Sequence, residues 1–435
     1  RFLPAHALAA VPRYTSYPPA NRFGAMEGKD QAGLIAALPE NASLSLYVHI
    51  PFCESLCWYC GCNTSVPNKP ERVSRYLAAL ELEIARIGAA MPRGARVTHI
   101  HFGGGSPDYL EPDQMRTLFA GLRGAFRFDP EAEIACELDP RGVSTERLAP
   151  LVENGLTRAS LGVQDIDESI QVKINRLQPD HVVREAVEQL RAAGVAGINL
   201  DLMYGLPGQT ERHVRRTADF AARLEPDRLA VFGYAHVPWF KRHQKAIREA
   251  ELPGAEARFR QAETAARVLG RHGYQRIGFD HYAWPDDKLS RAAREGWLSR
   301  NFQGYVADPA DAVIGLGASS ISSYPGGYVQ NDPVAALYAD KIEKSLSPVV
   351  RGLPLTPSDR AVARQIERLM CDLALDLPAD DPAWEGLTPL VADGLARIEN
   401  GRLVVNEAGR PYLRNLAATL DPGFEAGPQR HSQAV

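Results

Sequence analysis

The chain has 435 residues, 45% of them hydrophobic, with a formal net charge of −4 at neutral pH. That length suits one large globular domain plus a smaller one, and the acidic balance leaves no electrostatic footprint for nucleic acid. No run of about 18 uncharged apolar residues occurs, so no membrane span is expected, and no signal-peptide pattern stands at the start. Four of the six cysteines fall between Cys53 and Cys62, which is no disulfide framework and implies a reducing, cytoplasmic setting. Cys136 and Cys371 stand alone and read as buried small hydrophobes. The chain begins at Arg1 rather than methionine, so a few preceding residues are expected.

In chain order, residues 1–40 read as an N-terminal arm. Six short apolar runs follow, at 44–51, 97–103, 133–139, 158–164, 197–204 and 228–235. Val73, Tyr76, Leu77, Leu80, Ile84 and Ile87 recur at helical spacing, predicting an amphipathic helix over 75–90. Segments 146–154, 181–193 and 211–224 read likewise, the first two closed by Gly155 and Gly194 at the C′ position. Strands alternating with helices imply parallel βαβ units. Six of them suit a partial (β/α)6 barrel, an α/β fold whose function sits in loops at the C-terminal strand ends.

Beyond about residue 240 the alternation fades, and Pro238, Pro253 and Pro285 punctuate long connections. Residues 41–350 are assigned to the barrel and its extension, and 351–435 to a smaller helical domain. There the pattern predicts a helix over 356–375, another over 387–398 stopping near Asn400-Gly401, and a short hairpin at 402–406. Helices followed by a hairpin look like a winged-helix module. With no basic recognition stripe, a lid or docking role is expected rather than DNA binding. The polar tail 421–435 is expected to be loose.

Chemistry concentrates after the first strand, where Cys53, Cys57 and Cys60 form C-x3-C-x2-C and Cys62 follows two residues on. Three thiolates so spaced can wrap three corners of a cubane iron–sulfur cluster and leave one iron without a protein ligand. An open iron can hold a small molecule, which separates a cluster that does chemistry from one that only carries electrons. Trp58 and Tyr59 beside the ligands would keep water off the metal. A structural zinc knuckle is the competing reading. Zinc sites usually pair two C-x2-4-C hooks far apart in sequence, and no second hook exists here. Gly103-Gly104-Gly105, Glu137, Gln164 and Asp201 fall at the C-terminal ends of later strands, where they converge with the cysteine loop.

The whole chain resembles the oxygen-independent coproporphyrinogen III oxidases, radical S-adenosylmethionine enzymes of haem biosynthesis. The resemblance runs from Pro12-Arg13-Tyr14-Thr15-Ser16-Tyr17-Pro18 to Gly409-Arg410-Pro411-Tyr412-Leu413-Arg414-Asn415. Between them it rests on Cys60-Gly61-Cys62, His101-Phe102-Gly103-Gly104-Gly105, Gly162-Val163-Gln164-Asp165, Asn175-Arg176, Asp201-Leu202-Met203-Tyr204-Gly205-Leu206-Pro207, Tyr234-Ala235-His236 and Asn301-Phe302-Gln303-Gly304-Tyr305. It implies a [4Fe-4S] cluster on Cys53, Cys57 and Cys60 and two S-adenosylmethionines per chain. Coproporphyrinogen III would be the substrate, two of its propionates becoming vinyls through a 5′-deoxyadenosyl radical. A reductant such as flavodoxin or ferredoxin, a monomeric state, and no nucleic-acid or membrane partner are expected.

Residue by residue, the resemblance places Tyr47, Gly104, Glu137 and Ile321 around the first S-adenosylmethionine. It places Tyr59, Gly105, Ser106, Gln164, Arg176, Asp201 and Ala235 around the second. Bare glycine backbone would admit a ligand amino group, and Glu137 would face ribose hydroxyls or else be a buried, paired carboxylate. Arg176 and Asp201 would answer a zwitterion or form a structural ion pair. Cys62, Arg13 and Tyr14 are the catalytic candidates: a thiol outside the ligand spacing, and an arm over a flat tetrapyrrole that meets a propionate. A spare thiol and a packed strap are their plain alternatives. His49, His99, His101 and His281 read as satisfied structural residues. Ser106 in place of the usual threonine, Asp108 in place of an uncharged residue, and Leu420 in place of an aromatic depart from the pattern. A haem chaperone and a class C radical methyltransferase of the same superfamily are the alternatives. Cys62 and the arm speak against the chaperone.

Overall fold

The computed structural model of the chain describes residues 1–425. Its centre is six parallel strands hydrogen-bonded in sequence order: β1 (Ser43–Ile50), β2 (Arg96–Gly104), β3 (Phe128–Leu138), β4 (Arg158–Gln164), β5 (Gly197–Tyr204) and β6 (Arg228–Gly233). The period of two along each strand makes two unlike faces. Leu44, Leu46, Val48 and Ile50 of β1 are fully buried in the main core, as are Ile198, Leu200 and Leu202 of β5. Between them Ser45, Asn199 and Asp201 point into the barrel. Helices Pro70–Ala90, Pro112–Ala125, Thr145–Glu153, Asp180–Ala192 and Glu211–Arg223 join successive strands and cover the apolar face. Pro70 and Pro112 open their helices, and the Ser144 hydroxyl accepts from the Arg147 N–H to start the third. The fold is therefore the partial (β/α)6 barrel expected. The helix Pro112–Ala125 was not anticipated, although Met115, Leu118, Phe119 and Leu122 carry the same spacing.

The sheet continues past these strands on both sides. β7 (Ala312–Leu316) pairs parallel with β1, followed in antiparallel order by β8 (Ile321–Tyr324), then Gly327–Asn331, Val349–Pro354 and Gly24–Ala25. Beyond β6 lie His281–Ala283 and Gln275–Ile277. The stretch after residue 240 is thus richer in strands than its fading alternation implied. These strands are short and mostly antiparallel, and only some of them are separated by helices, Lys288–Glu295 and Ala335–Glu343 among them, so the regular strand–helix alternation is lost.

In the C-terminal module, helix Pro357–Asp372 starts where the Thr356 hydroxyl accepts from the Asp359 N–H. The second helix is Ala383–Ala392, not 387–398. Ala396–Glu399 is instead a strand that turns at Asn400 and Gly401, with φ of 51° and 82°, into Arg402–Val405. An Asn-Gly pair between short alternating runs favours a hairpin over a helix stop. With Ala374–Asp376 these form a three-stranded sheet beside the helices.

Ala7, Val11, Tyr14 and Tyr17 share an apolar core with Leu369, Leu387, Tyr412 and Leu416. Arg414 donates to the carbonyls of Val11 and Pro12. Asp421, expected in a loose tail, is buried and accepts from Arg22 at 2.8 Å, Tyr17 at 3.2 Å and Tyr14 at 3.3 Å. Residues 426–435 of that tail lie outside the described residues. Among the described residues no helix is long and apolar enough to cross a membrane.

Candidate active site

The polar strand faces enclose a cavity of about 690 Å³ that opens among the loops. Toward the N-terminal strand ends its charges are paired, Arg158 with Glu133 and Arg228 with Asp287. Cys53, Cys57, Cys60 and Cys62 line one wall. Gly104, Gly105, Ser106, Glu137, Gln164, Arg176, Asp201, Tyr59, Ala235 and Arg13 line the others.

The cysteine loop is fixed at many points. Its ends close on each other, with Cys53 N–H donating to Ser65 and Ser65 N–H to Pro51. Asn175 donates to the Leu56 carbonyl at 2.9 Å, Gln244 to Tyr59 at 2.9 Å and Lys241 to Cys62 at 2.9 Å. His243 Nε2 lies 2.7 Å from the Cys60 carbonyl. The Arg176 guanidinium reaches Cys57 Sγ at 3.4 Å, Asp139 at 3.2 Å and the Gly162 carbonyl at 2.7 Å. It thereby ties the loop to the ends of β3 and β4. Burial pushes the Cys53 thiol up to about 11, so its thiolate forms readily only against a cation. Cys60 and Cys62 share a thiol hydrogen bond that lowers the first and raises the second.

The glycine edge of β2 serves this loop directly. Gly105 N–H donates to Ile50 and Ser106 N–H to Phe52, both at 2.8 Å. A Cβ on Gly105 would lie 2.5 Å from the Phe52 carbonyl oxygen, and one on Gly103 2.8 Å from the Glu137 carboxylate. Gly104, at φ 111°, donates to Glu137 at 3.3 Å. His101 Nε2 lies 3.0 Å from the other carboxylate oxygen. Burial opposes the charge on Glu137, yet the His101 contact prevails and holds its carboxyl below the usual range. Asp201 accepts from Ser160 at 2.9 Å and Asn199 at 2.8 Å, and burial raises it to about 6. Ser106 gives its hydroxyl to Asp108 at 2.8 Å, and burial lifts Asp108 to about 6 as well. The Asp108 departure is thus a buried carboxyl behind Ser106.

Three expected site residues do not reach the cavity wall. Tyr47 sits behind it, its hydroxyl 3.1 Å from His49 and its ring stacked on His101. Ile321 begins β8 beside β7. Tyr14, at φ 49°, turns into the arm's core toward Asp421. Lys241, His243, Gln244 and Asp139 contribute to the site without having been singled out. Lys241, His243 and Gln244 hold main-chain carbonyls far away in the chain, which no local spacing encodes, while Asp139 joins distant Arg176 to neighbouring Arg141. His49, His99, His101 and His281 all have hydrogen-bond partners, as expected.

These residues fit an iron–sulfur cluster and a charged nucleoside ligand. Cys53, Cys57 and Cys60, all free, line one cavity, and Gln164 Oε1 and Arg176 Nε are buried without hydrogen-bond partners. Among the described residues no three His, Cys, Asp or Glu side chains converge on a single ion. A cubane needs no such convergence, because each thiolate binds a different iron.

Comparison with known proteins agrees with this geometry. The radical SAM superfamily model matches residues 47–221. The oxygen-independent coproporphyrinogen III oxidase of Bradyrhizobium diazoefficiens is 42% identical over 98% of this chain and 97% of its own length. That of Escherichia coli is 38% identical, covering 94% and 92% respectively. The solved structure of coproporphyrinogen III oxidase from Escherichia coli, described as a radical SAM enzyme, superposes with a TM-score of 0.91. It is 36% identical over 95% of this chain and 98% of that one.

Proposed function

This chain belongs to the oxygen-independent coproporphyrinogen III oxidases of the radical SAM superfamily, and from that membership we propose how its residues divide the work. It is a radical SAM oxidoreductase of porphyrin biosynthesis that converts coproporphyrinogen III to protoporphyrinogen IX. The chaperone and methyltransferase readings are not favoured, since the relatives matched along the full length carry the oxidase name. A [4Fe-4S] cluster and S-adenosylmethionine, when bound, supply one-electron chemistry and a 5′-deoxyadenosyl radical. At each of two propionates a β-hydrogen atom is removed, CO2 departs and one further electron leaves, so that –CH2CH2COO⁻ becomes –CH=CH2.

Cys53, Cys57 and Cys60 would hold the cluster, with Arg176 against Cys57 and Thr64 3.0 Å from Cys53 Sγ fixing the sulfurs. Glu137, oriented by His101, would take the ribose hydroxyls of the first S-adenosylmethionine, Tyr47 bracing that histidine and Ile321 acting from the adjoining edge. Tyr59, Gly105, Ser106, Gln164, Asp201 and Ala235 would hold a second one. Arg176 shares its charge with Asp139, so Asp201 is the principal charged contact, answering an ammonium. Cys62, exposed at the mouth, would act on the substrate side, and Arg13 would meet a propionate. Tyr14 would serve by anchoring the arm. We place the enzyme in the cytoplasm as a monomer, fed by a small donor such as a flavodoxin or ferredoxin.

The observation that carries this reading is that the cysteine wall, Glu137, Gln164 and Asp201 face one cavity. Equilibrium binding of S-adenosylmethionine to the anaerobically reconstituted protein tests it. Two sites per chain are expected, falling towards one in Asp201→Ala with iron retained. A single site in the unmutated protein would sink the two-ligand model.

A further inference from the structure

The segment that follows β6 fastens to the cysteine loop and turns a basic, aromatic surface outward. Residues 237–248 carry four Lys or Arg and no Asp or Glu, in a chain whose net charge is −4. Three of its side chains hold main-chain carbonyls of the loop. Lys241 donates to Cys62 at 2.9 Å, Gln244 donates to Tyr59 at 2.9 Å, and His243 Nε2 lies 2.7 Å from the Cys60 oxygen. Gln244 also accepts from the Val237 N–H at 2.6 Å, and Ile247 is buried in one cluster with Ile170 and Ile174. The segment is therefore a fixed platform beside the thiolates.

Its outer side is left open. Trp239 and Phe240 are 65% and 75% exposed, the highest values among the large hydrophobic side chains described. The Lys241 ammonium stands 5.2 Å from the centre of the Phe240 ring. Arg242–Ala246 is a 3₁₀ helix, in which side chains three positions apart eclipse one another. Arg242 and Lys245 thus share one face, away from buried Gln244, and both are exposed. Among the described residues neither has an ion-pair partner. The acids nearby are engaged, Glu249 with His236 at 3.1 Å and Glu251 with Lys173 and Arg248. Trp239, Phe240, Arg242 and Lys245 do not line the large cavity, so this face is no wall of the substrate site.

We propose that this face docks a small acidic one-electron carrier protein, which reduces the cluster held by Cys53, Cys57 and Cys60. The inference rests on the cluster and radical chemistry assigned above. An aromatic centre with a polar, charged rim is the make-up of a protein interface, with tryptophan the commonest anchor. The rim here is cationic, so an acidic partner is steered towards it and a basic one is repelled. The carbonyl contacts seat that interface against the loop that carries the thiolates, and electron transfer weakens steeply with distance. In the step itself the carrier loses one electron and the cluster gains it, and no atom changes place.

Anaerobic calorimetry of the cluster-loaded enzyme with oxidised flavodoxin, an acidic carrier, tests the inference, with turnover as a second readout. Arg242→Glu combined with Lys245→Glu should raise the Kd for flavodoxin by about tenfold or more, since like charges then meet. It should also flatten the dependence of Kd on salt. Trp239→Ala should raise Kd by about tenfold through loss of the anchor. All three side chains are exposed, so iron content and thermal midpoint should match the parent. With dithionite as reductant, both variants should turn over coproporphyrinogen III at the parent's rate and KM; with reduced flavodoxin they should need proportionately more carrier. An unchanged Kd in both variants would overturn the docking face, as would failure of flavodoxin to bind the parent. A raised KM for coproporphyrinogen III under dithionite would overturn it as well and give the patch to the substrate. A parent inactive even with dithionite would instead strike the function assigned above.

Discussion

Replacing Gly105 with alanine tests whether the glycine edge of β2 sets the position of the cluster loop. The added Cβ would lie 2.5 Å from the Phe52 carbonyl oxygen, 2.8 Å from the Phe52 nitrogen and 2.9 Å from the Ile50 carbonyl oxygen. All three are main-chain atoms, so no side-chain rotation relieves the contact and the loop must withdraw by nearly an ångström. Overpacking of this kind costs about 1–3 kcal/mol. The bonds from Gly105 to Ile50 and Ser106 to Phe52 stretch with it, at about 1 kcal/mol each, for roughly 3–5 kcal/mol together. Phe52 adjoins Cys53, so the displacement is delivered to the first thiolate. Iron per chain after anaerobic reconstitution, with the thermal midpoint, is the readout. Gly61→Ala is the control in the same loop, because its Cβ would meet nothing within 4 Å. Gly105→Ala should lose a large share of its iron and melt several degrees lower, while Gly61→Ala should match the parent. Full iron and equal stability in Gly105→Ala would refute the argument.

Three further outcomes are expected. Cys53→Ser should lose the cluster, whereas Cys62→Ser should keep its iron and lose most vinyl product; normal turnover by Cys62→Ser would make that thiol a spare. Burial raises Asp201 to about 6, so below that pH the carboxyl is protonated and cannot answer an ammonium. Affinity at the second S-adenosylmethionine site should therefore fall as pH drops through about 6, and a flat profile from pH 5 to 8 would remove Asp201 from the site. Asp421→Ala leaves Arg22, Tyr14 and Tyr17 without their shared acceptor, a local cost of about 2–3 kcal/mol. It should expose the arm to limited proteolysis and raise the substrate KM without loss of iron; an arm as resistant as the parent's would show that the apolar core alone holds it.

The barrel was legible because each of its strands is apolar on the helix-covered face and each crossing helix carries a 3.6-residue period. Leu44, Leu46, Val48 and Ile50 are enough to mark β1. The strands from Gln275 to Pro354 were not legible, since three to six residues, paired mostly in antiparallel order, leave too little pattern to separate from a loop. The segment from Ala396 to Glu399 failed for another reason: its apolar residues suit either period, and the Asn400-Gly401 turn decides between them. At the site, cysteine spacing is local and could be read directly. The Gly104-Gly105 edge could be read as bare backbone, but not as a seat for Phe52, which depends on the loop folding back. Tyr14 shows the same limit. Its composition suits a ring-covering arm, yet its direction is set by Asp421, four hundred residues away in the chain.

Anaerobic turnover with counted products is the most direct measurement of the central claim. The reconstituted enzyme, given a reductant, S-adenosylmethionine and coproporphyrinogen III, should release one CO2 and one 5′-deoxyadenosine for every vinyl formed and finish at protoporphyrinogen IX. A methylated tetrapyrrole, or steady 5′-deoxyadenosine release with no vinyl product, would contradict it.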